Sequence, residues 1–354
     1  MNMVTRRVKI GEVEIGGGNP IAVQSMCNTL TRDVKATVSQ IKRLEKVGCE
    51  IIRVAVPDQK SAQAIAEIKK KINIPLVADI HFDYRLALAS LDYGADKIRI
   101  NPGNIGSVAN IRKVVQKAKE KKAPIRVGVN AGSLELKLLK KYGGPTPQAL
   151  VASALDKVNI LEKENFHNIV ISLKSNNVAS TIEAHQLIAK KTNYPLHVGV
   201  TEAGTFLAGT VKSAIALGAL LPQKIGDTIR VSLSDDPVKE VEVGWKILEA
   251  LDLRRNAPEI ISCPTCARAS IDVIKIANSL EKKIKGMPQP IKIAIMGCLV
   301  NGPGEAREAD IGICGIDKEP QHLMFFKKGK IIGKIKQEEA LDKILDEIGK
   351  FKEN

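Results

Sequence analysis

Cys263 and Cys266 lie two residues apart in Ser262-Cys263-Pro264-Thr265-Cys266, and Cys298 follows after a helix and a strand in Gly297-Cys298-Leu299-Val300-Asn301-Gly302-Pro303-Gly304-Glu305. Thiolates are soft ligands that select zinc or iron–sulfur clusters. A structural zinc site closes with four N or S ligands, often as two paired-cysteine knuckles, and here only one such pair exists. Cys298 stands alone among Gly297, Gly302, Pro303 and Gly304, which suit a loop folded tightly around a bulky group with its backbone N–H groups facing it. Three cysteines and one weaker ligand suit a cubane cluster better than zinc. The spacing leaves the fourth ligand open between Cys314, in Ile311-Gly312-Ile313-Cys314, and Glu305, whose carboxylate would bind iron weakly enough to be displaced. The blander reading is a thioredoxin-like redox pair at Cys263 and Cys266 with an unrelated buried Cys298.

The elements that must position these residues follow a repeating pattern. Strand-like runs at 21–26, 51–56, 76–81, 97–101, 125–130, 169–174, 196–201 and 229–234 alternate with amphipathic stretches such as 34–47, 61–71, 108–121, 148–164, 178–190, 205–217 and 238–251. Eight strand–helix units in about 250 residues predict a (β/α)8 TIM barrel. An open doubly wound sheet is the runner-up, without a glycine-rich dinucleotide fingerprint to support it. A hairpin around Gly11 precedes the barrel. After the linker Leu253-Arg254-Arg255-Asn256-Ala257-Pro258, the pattern predicts a small α+β domain, giving boundaries of 1–252 and 253–354. Its expected parts are a helix at 271–285, strands at 291–296 and 311–316 flanking the cysteine loop, a hairpin around 327–330 and a closing helix at 338–348.

Side chains alternate across a strand, so each barrel strand splits into a helix-facing and a lumen-facing set. In 125–130 the apolar set Ile125, Val127 and Val129 leaves Arg126, Gly128 and Asn130 inside. The same parity places Arg53, Asp79, His81, Arg99, Asn101, Ser172, Lys174, His197, Thr201, Arg230 and Ser232 in the lumen. An ordinary barrel fills that space with branched apolar side chains. Four arginines, a lysine and two histidines instead require water, carboxylates such as Asp79 and Glu202, or a multiply charged anion. Arginine's planar fork matches phosphate oxygens, and its recurrence on four strands favours an anion cradle over a chance ion pair. Barrel active sites form on the loops after the strands, where His81-Phe82-Asp83, Asn101-Pro102-Gly103-Asn104, Asn130-Ala131-Gly132-Ser133, Lys174-Ser175-Asn176 and Thr201-Glu202-Ala203-Gly204 stand. Asp83, Ser133 and Asn176 also read as ordinary N-caps. Among so many cations Glu202 would be held ionised, so proton delivery from it would have to accompany substrate binding or reduction.

Over essentially its whole length, the chain resembles the 4-hydroxy-3-methylbut-2-en-1-yl diphosphate synthases of the non-mevalonate isoprenoid pathway, in the bacterial two-domain form. The matching motifs are Ser262-Cys263-Pro264-Thr265-Cys266-Ala267-Arg268, Met296-Gly297-Cys298 and Asn301-Gly302-Pro303-Gly304-Glu305-Ala306. The resemblance implies a [4Fe-4S] cluster held by Cys263, Cys266, Cys298 and an exchangeable Glu305. It further implies reductive ring opening and dehydration of 2-C-methyl-D-erythritol 2,4-cyclodiphosphate to 4-hydroxy-3-methylbut-2-enyl diphosphate. By motif match it assigns substrate binding to Arg53, His81, Arg99, Arg126, Asn130, Lys174, Thr201, Arg230, Ser232 and Asn301, and catalysis to Glu202 and Glu305. Ferredoxin or flavodoxin is the expected electron donor, and a homodimer in which the cluster domain of one subunit caps its partner's barrel is the expected assembly.

Composition agrees with these expectations. The formal net charge of +15, from 54 basic and 39 acidic residues, calls for an anionic partner: nucleic acid, a phosphorylated metabolite or an acidic electron-transfer protein. Aromatic content of 3% argues against a single-strand nucleic-acid binder, which would need stacking platforms. The sparse cysteines suit a reducing compartment rather than a disulfide scaffold. No apolar run approaches the roughly 20 residues of a membrane span, and the first 18 residues lack a signal-peptide core, so the expected location is cytoplasmic. Cys27, Cys49 and Cys314 are expected to be buried packing residues. The competing enzyme reading is a phosphate-metabolite barrel, an aldolase or synthase, with a structural zinc domain. A basic RNA-associated zinc protein is the competing binding reading.

Overall fold

The computed structural model describes residues 4–101, 105–287, 289–300, 302–317, 319 and 321–351. The chain divides into two compact units, Met1–Arg254 and Arg255–Asn354. Arg254, which reads as linker in the sequence, belongs with the barrel. It forks onto both Glu50 oxygens at 2.7 and 2.9 Å, donates to Ile21 O at 2.6 Å and lies 4.7 Å from the Trp245 ring centroid.

The first unit opens with a hairpin of β1 (Val8–Ile10) and β2 (Val13–Ile15). The barrel follows as β3 (Ala22–Met26), β4 (Ile51–Ala55), β5 (Leu76–Asp79), β6 (Lys97–Ile100), β7 (Ile125–Asn130), β8 (Ile169–Lys174), β9 (His197–Val198) and β10 (Thr228–Ile229). All eight are parallel in the order β8-β7-β6-β5-β4-β3-β10-β9. A bridge between Ile171 and Leu196 joins β8 to the segment leading into β9 and closes the ring. The TIM barrel expected from the alternating pattern is therefore present. β9 and β10 are shorter than the apolar pattern suggested. Beyond Val198 the backbones crowd: a Cβ on Gly199 would lie 2.2 Å from Arg230 O, so only glycine lets the two strands converge there.

The outer helices form where polar capping residues precede apolar stripes. Asp33 accepts from Ala36 N at 3.0 Å to start Val34–Lys46, which buries Val38, Ile41 and Leu44. Asp83 caps Tyr84–Asp92 as expected. The cap of Val178–Ala189 is Asn177, one residue later than the expected Asn176, and Ser133 ends a 3-10 turn without capping a helix. One apolar stretch, Phe206–Gln223, spans 18 residues at mean hydropathy 1.3 and meets the length and composition of a membrane span. Its helix, Phe206–Leu220, buries Gly209, Ser213, Ala216, Leu217 and Leu220 within the first unit.

The barrel's amino-terminal end is plugged by the hairpin. Val8, Ile10 and Ile15 cluster with Ala22, Ile51, Val77 and Val170, inward residues from the starts of four strands. This dry floor leaves the carboxyl end as the open one.

The second unit carries one five-stranded sheet in the order β11 (Glu259–Ser262), β12 (Lys292–Met296), β13 (Ile311–Gly315), β14 (His322–Lys327) and β15 (Lys330–Lys336). The first three are parallel and the last two antiparallel. Lys328 and Gly329 both take positive φ, 45° and 72°, making the tight turn expected around 327–330. Helices Val273–Ile284 and Ala340–Gly349 pack Leu280, Ile284, Ile344 and Ile348 against Ile293, Ile295 and Ile313.

Candidate functional site

The lumen holds the polar set the strand parity predicted. Arg53, Arg99, Arg126 and Lys174 are 7%, 6%, 1% and 6% exposed. Asp79 is the hub. Its Oδ1 accepts from Arg99 Nη1 at 3.1 Å and lies 3.5 Å from His81 Nε2, while its Oδ2 is 3.7 Å from Arg53 Nε. His81 Nε2 also meets Arg99 Nη1 at 2.8 Å. Burial alone would raise the Asp79 carboxyl, but Arg53, His81, Arg99 and Arg126 outweigh it and hold the group well below the usual carboxylate range.

The cations divide into paired and unpaired ones. Arg230 is answered by Glu240 of helix Pro237–Ala250, with contacts of 3.2–3.4 Å; Glu240 also accepts from Ser25 Oγ at 3.0 Å and from Leu233 N at 3.0 Å. For Arg230, then, an internal ion pair is present. Among the described residues Arg126 has none: its Nε and Nη1 are buried without a hydrogen-bond partner. Burial and the neighbouring Arg53 and Arg99 push its guanidinium down, and burial together with Arg230 and Arg53 does the same to Lys174. Arg53 falls to about 10, through burial first and then Arg230 and Arg99, with Asp79 opposing them. Three arginines sharing one carboxylate amount to a site short of negative charge.

The mouth is more open. His81 has half its side chain exposed, Asn130, Thr201 and Ser232 are half-buried, and Glu202 is exposed. Glu202 therefore stands on a loop rather than among the lumen cations, and its backbone is left-handed, with φ of 51°. Phe82 shares that conformation at φ of 67°, with its ring 6.0 Å from His81 and largely exposed. Left-handed backbone at bulky residues is strained and collects at functional loops. Asn301 lies outside the described residues.

Cys263 and Cys298 leave the carboxyl ends of adjacent parallel strands, with Ser262 in register with Ile295. Gly297 N donates to Cys263 Sγ at 3.2 Å, and Ser270 N donates to Gly297 O at 2.9 Å, folding the two loops together. A Cβ on Gly297 would come within 2.9 Å of Ala269 Cβ, and one on Gly315 within 2.4 Å of Gly297 O, so the loops close only with glycine at both positions. Thr265, between the paired cysteines, is left-handed at φ of 63°. Cys266 is exposed, as is Glu305 in the first turn of Gly302–Glu308. Among the described residues, no three His, Cys, Asp or Glu side chains gather closely enough to hold a metal ion. The donor chemistry, the shared strand edge and a backbone N–H aimed at sulfur fit a soft-metal centre. Cys314 is fully buried; its Sγ donates to Cys298 O at 2.9 Å and fills the space a Gly302 Cβ would need. Burial pushes its thiol up to about 12, with Cys298, Asp317 and Cys263 adding to the effect. Cys27 and Cys49 are buried with thiols likewise raised to about 12 by desolvation.

Sequence reading missed four residues here. Glu240 lies on a helix, where parity offers no signal. Phe82 looks ordinary until its φ is known. Lys97 and Gln24 were legible: each is an inward residue two positions before one already suspected or paired, Arg99 and Met26, and Met26 Sδ receives Arg53 Nε at 3.1 Å.

Comparison with known proteins agrees with this architecture. Residues 5–245 match the GcpE TIM-barrel domain, and residues 259–350 match the GcpE protein C-terminal domain. The chain is 62% identical to the 4-hydroxy-3-methylbut-2-en-1-yl diphosphate synthase (flavodoxin) of Caldanaerobacter subterraneus subsp. tengcongensis, over 99% of this chain and 98% of that protein. It is 58% identical to the protein of the same name from Caldicellulosiruptor saccharolyticus, over 98% of each. Among solved structures, dihydropteroate synthase from Stenotrophomonas maltophilia aligns with 70% of this chain and 98% of its own at TM-score 0.51 and 13% identity. A truncated 3-deoxy-D-arabino-heptulosonate 7-phosphate synthase from Thermotoga maritima aligns with 72% of this chain and 95% of its own at TM-score 0.51 and 16% identity. At such identities these two share the barrel fold alone.

Proposed function

The chain belongs to the GcpE family, and from that premise we propose that it reduces 2-C-methyl-D-erythritol 2,4-cyclodiphosphate to 4-hydroxy-3-methylbut-2-enyl diphosphate with electrons from flavodoxin, the donor for which its relatives are named. The observation that carries the reading is the lumen's shortage of negative charge. Arg53, Arg99 and Arg126 share one carboxylate on rigid strands, and a diphosphate supplies what is missing. Arg99, Lys174 and the Nη2 end of Arg126 grip the phosphate oxygens. Arg53 is steadied by Met26 and Asp79, and Arg230 by Glu240, so both keep their guanidinium planes fixed while the substrate enters. His81, Asn130, Thr201 and Ser232 line the opening and orient the rest of the molecule, with Asn301 joining them.

Cys263, Cys266, Cys298 and Glu305 are the residues that would hold a [4Fe-4S] cluster. When bound, it supplies single electrons and a Lewis-acidic iron. Glu305, exposed on its helix, would be the weakest and most exchangeable of the four ligands, while Gly297 N–H steadies Cys263. Glu202, exposed on its loop, delivers the proton that the departing oxygen takes. The functional unit is a homodimer in the cytoplasm, in which each barrel works with the cysteine unit of its partner.

Anaerobic purification tests the reading. About four irons and four sulfides per chain, and product formed from the cyclodiphosphate with reduced flavodoxin, are expected. Glu305→Ala should keep the iron with an altered spectrum. Heterodimers pairing a Cys298→Ala subunit with a Glu202→Gln subunit should regain activity. One zinc without sulfide would instead favour a metal-independent barrel synthase.

A further inference from the structure

At the barrel floor, four inward side chains from four strands carry polar atoms without a protein partner: both amide atoms of Gln24, Lys97 Nζ, Arg126 Nε and Nη1, and His197 Nε2. None of the four residues is more than 1% exposed. Lys97 is in register with Val77 of the apolar plug; Arg126 pairs with Val170 of the plug on one side and with Arg99 on the other, so it stands between the dry floor and the cations above. Lys97 and His197 each feel the charges of Arg126 and Arg53.

Water satisfies hydrogen bonds but carries no charge. It accounts for Gln24 and His197 and leaves Lys97 and Arg126 unanswered, two cations at low dielectric whose burial costs several kcal/mol each without a counter-charge. Among the described residues, Asp79 is the one inward carboxylate of the barrel strands; Arg53, Arg99 and His81 meet it directly, and Arg126 feels its charge without an ion pair to it. A guanidinium does not deprotonate in proteins, so at least one uncompensated charge stays on the floor. The His197 imidazole is kept neutral by burial and these cations. Its Nδ1 lies 2.7 Å from Thr228 Oγ1; in the tautomer in which that hydroxyl donates, Nε2 carries the proton and acts as a donor.

We propose that the barrel floor is a second anion site, separate from the mouth, which takes a small monovalent inorganic anion of the halide class between Lys97 Nζ and Arg126, with Gln24 Nε2 and His197 Nε2 as further donors. Such an ion neutralises the floor whether or not substrate is present. It also leaves Arg99 and Lys174 free for the larger anion above. The site does not depend on the reaction proposed for the protein.

The test uses the full chain without substrate. Crystals grown in sodium bromide should show anomalous density in contact with Lys97 Nζ, retained when inorganic pyrophosphate is added. Melting in sodium chloride should exceed melting in sodium gluconate of equal ionic strength by about 3 °C or more, a difference lost in Lys97→Met and kept in the exposed-helix control Lys282→Met. Ordered water in place of bromide, or equal melting in the two salts, overturns the proposal and leaves Lys97 as a neutral amine. Bromide expelled by pyrophosphate also overturns it, because the four groups would then belong to the mouth. The bromide experiment needs no variant, so misfolding of Lys97→Met does not blunt it.

Discussion

In the barrel the charged groups stand on strands. Arg53, Arg99 and Asp79 are buried, and the two arginines meet the carboxylate at 3.7 and 3.1 Å. At the cysteine edge the donors stand on loops: Cys266 and Glu305 are exposed, and no three described side chains close on a common point. The difference teaches where each site obtains its order. A parallel strand fixes its side chains through the ladder on both sides, so the barrel's cations are preorganised and strained by their own repulsion. A loop that ligates a metal reaches its final geometry when the metal arrives, and the binding energy becomes folding energy.

The comparison breaks most sharply under single substitutions. Cys298→Ser should abolish iron–sulfide content and turnover while leaving pyrophosphate binding to the barrel unchanged, as read by metal analysis and calorimetry. If pyrophosphate affinity fell as well, the independence of the two regions would be lost. In the barrel, Asp79→Asn should cost about 3–5 kcal/mol, because it removes the carboxylate that three arginines surround. That contribution has a definite pH sense. The folded-state pKa of Asp79 is depressed, so its stabilisation is present above the unfolded carboxylate value of about 3.9 and disappears as pH falls below it. Denaturant curves of wild type and Asp79→Asn should therefore converge as the pH is lowered through that range.

A third change sharpens the contrast between strain and function. Arg126→Met should weaken pyrophosphate binding by about 10–100-fold, the worth of a lost charged hydrogen-bond donor. In halide-free sodium gluconate it should also raise the melting temperature without pyrophosphate, since a buried cation with no counter-ion is replaced by a packed apolar chain. A fall in melting temperature would mean that Arg126 has a structural partner after all. At the cysteine edge, Gly302→Ala places a methyl 2.1 Å from Cys314 Sγ and should destabilise the second unit by about 1–3 kcal/mol. The smallest effect is expected of Glu202→Gln. It should slow turnover with little change in melting temperature, because the side chain is exposed and its role is proposed to be chemical rather than structural.

Much of this was legible in the sequence because alternation is a local property. Ile125, Val127 and Val129 fix the outward face of β7, and Arg126 must then face the lumen; the same holds for Arg53 and Arg99. The helix start at Asp83 was legible for the same reason, since a cap acts within three residues, whereas Ser133 and Asn176, read the same way, cap no helix. Pairings between distant residues were not. Nothing near Arg230 announces Glu240, which reaches it from the following helix, and nothing near Asp79 shows that Arg53 and Arg99 arrive from neighbouring strands. Arg254 read as linker because its bonds to Glu50 and Ile21 span more than 200 residues.

The sequence by itself determined the alternation of strands and helices, the inward placement of the arginines and the grouping of three thiols around glycine-rich turns. Each of these follows from periods of two or three and a half residues and from the backbone freedom of glycine. Only the tertiary structure decided which cations find a carboxylate, that Cys314 turns its thiol to Cys298 O, and that Glu202 stands outside the lumen. Charge compensation depends on which side chains meet when the ring closes, and no local period carries that information.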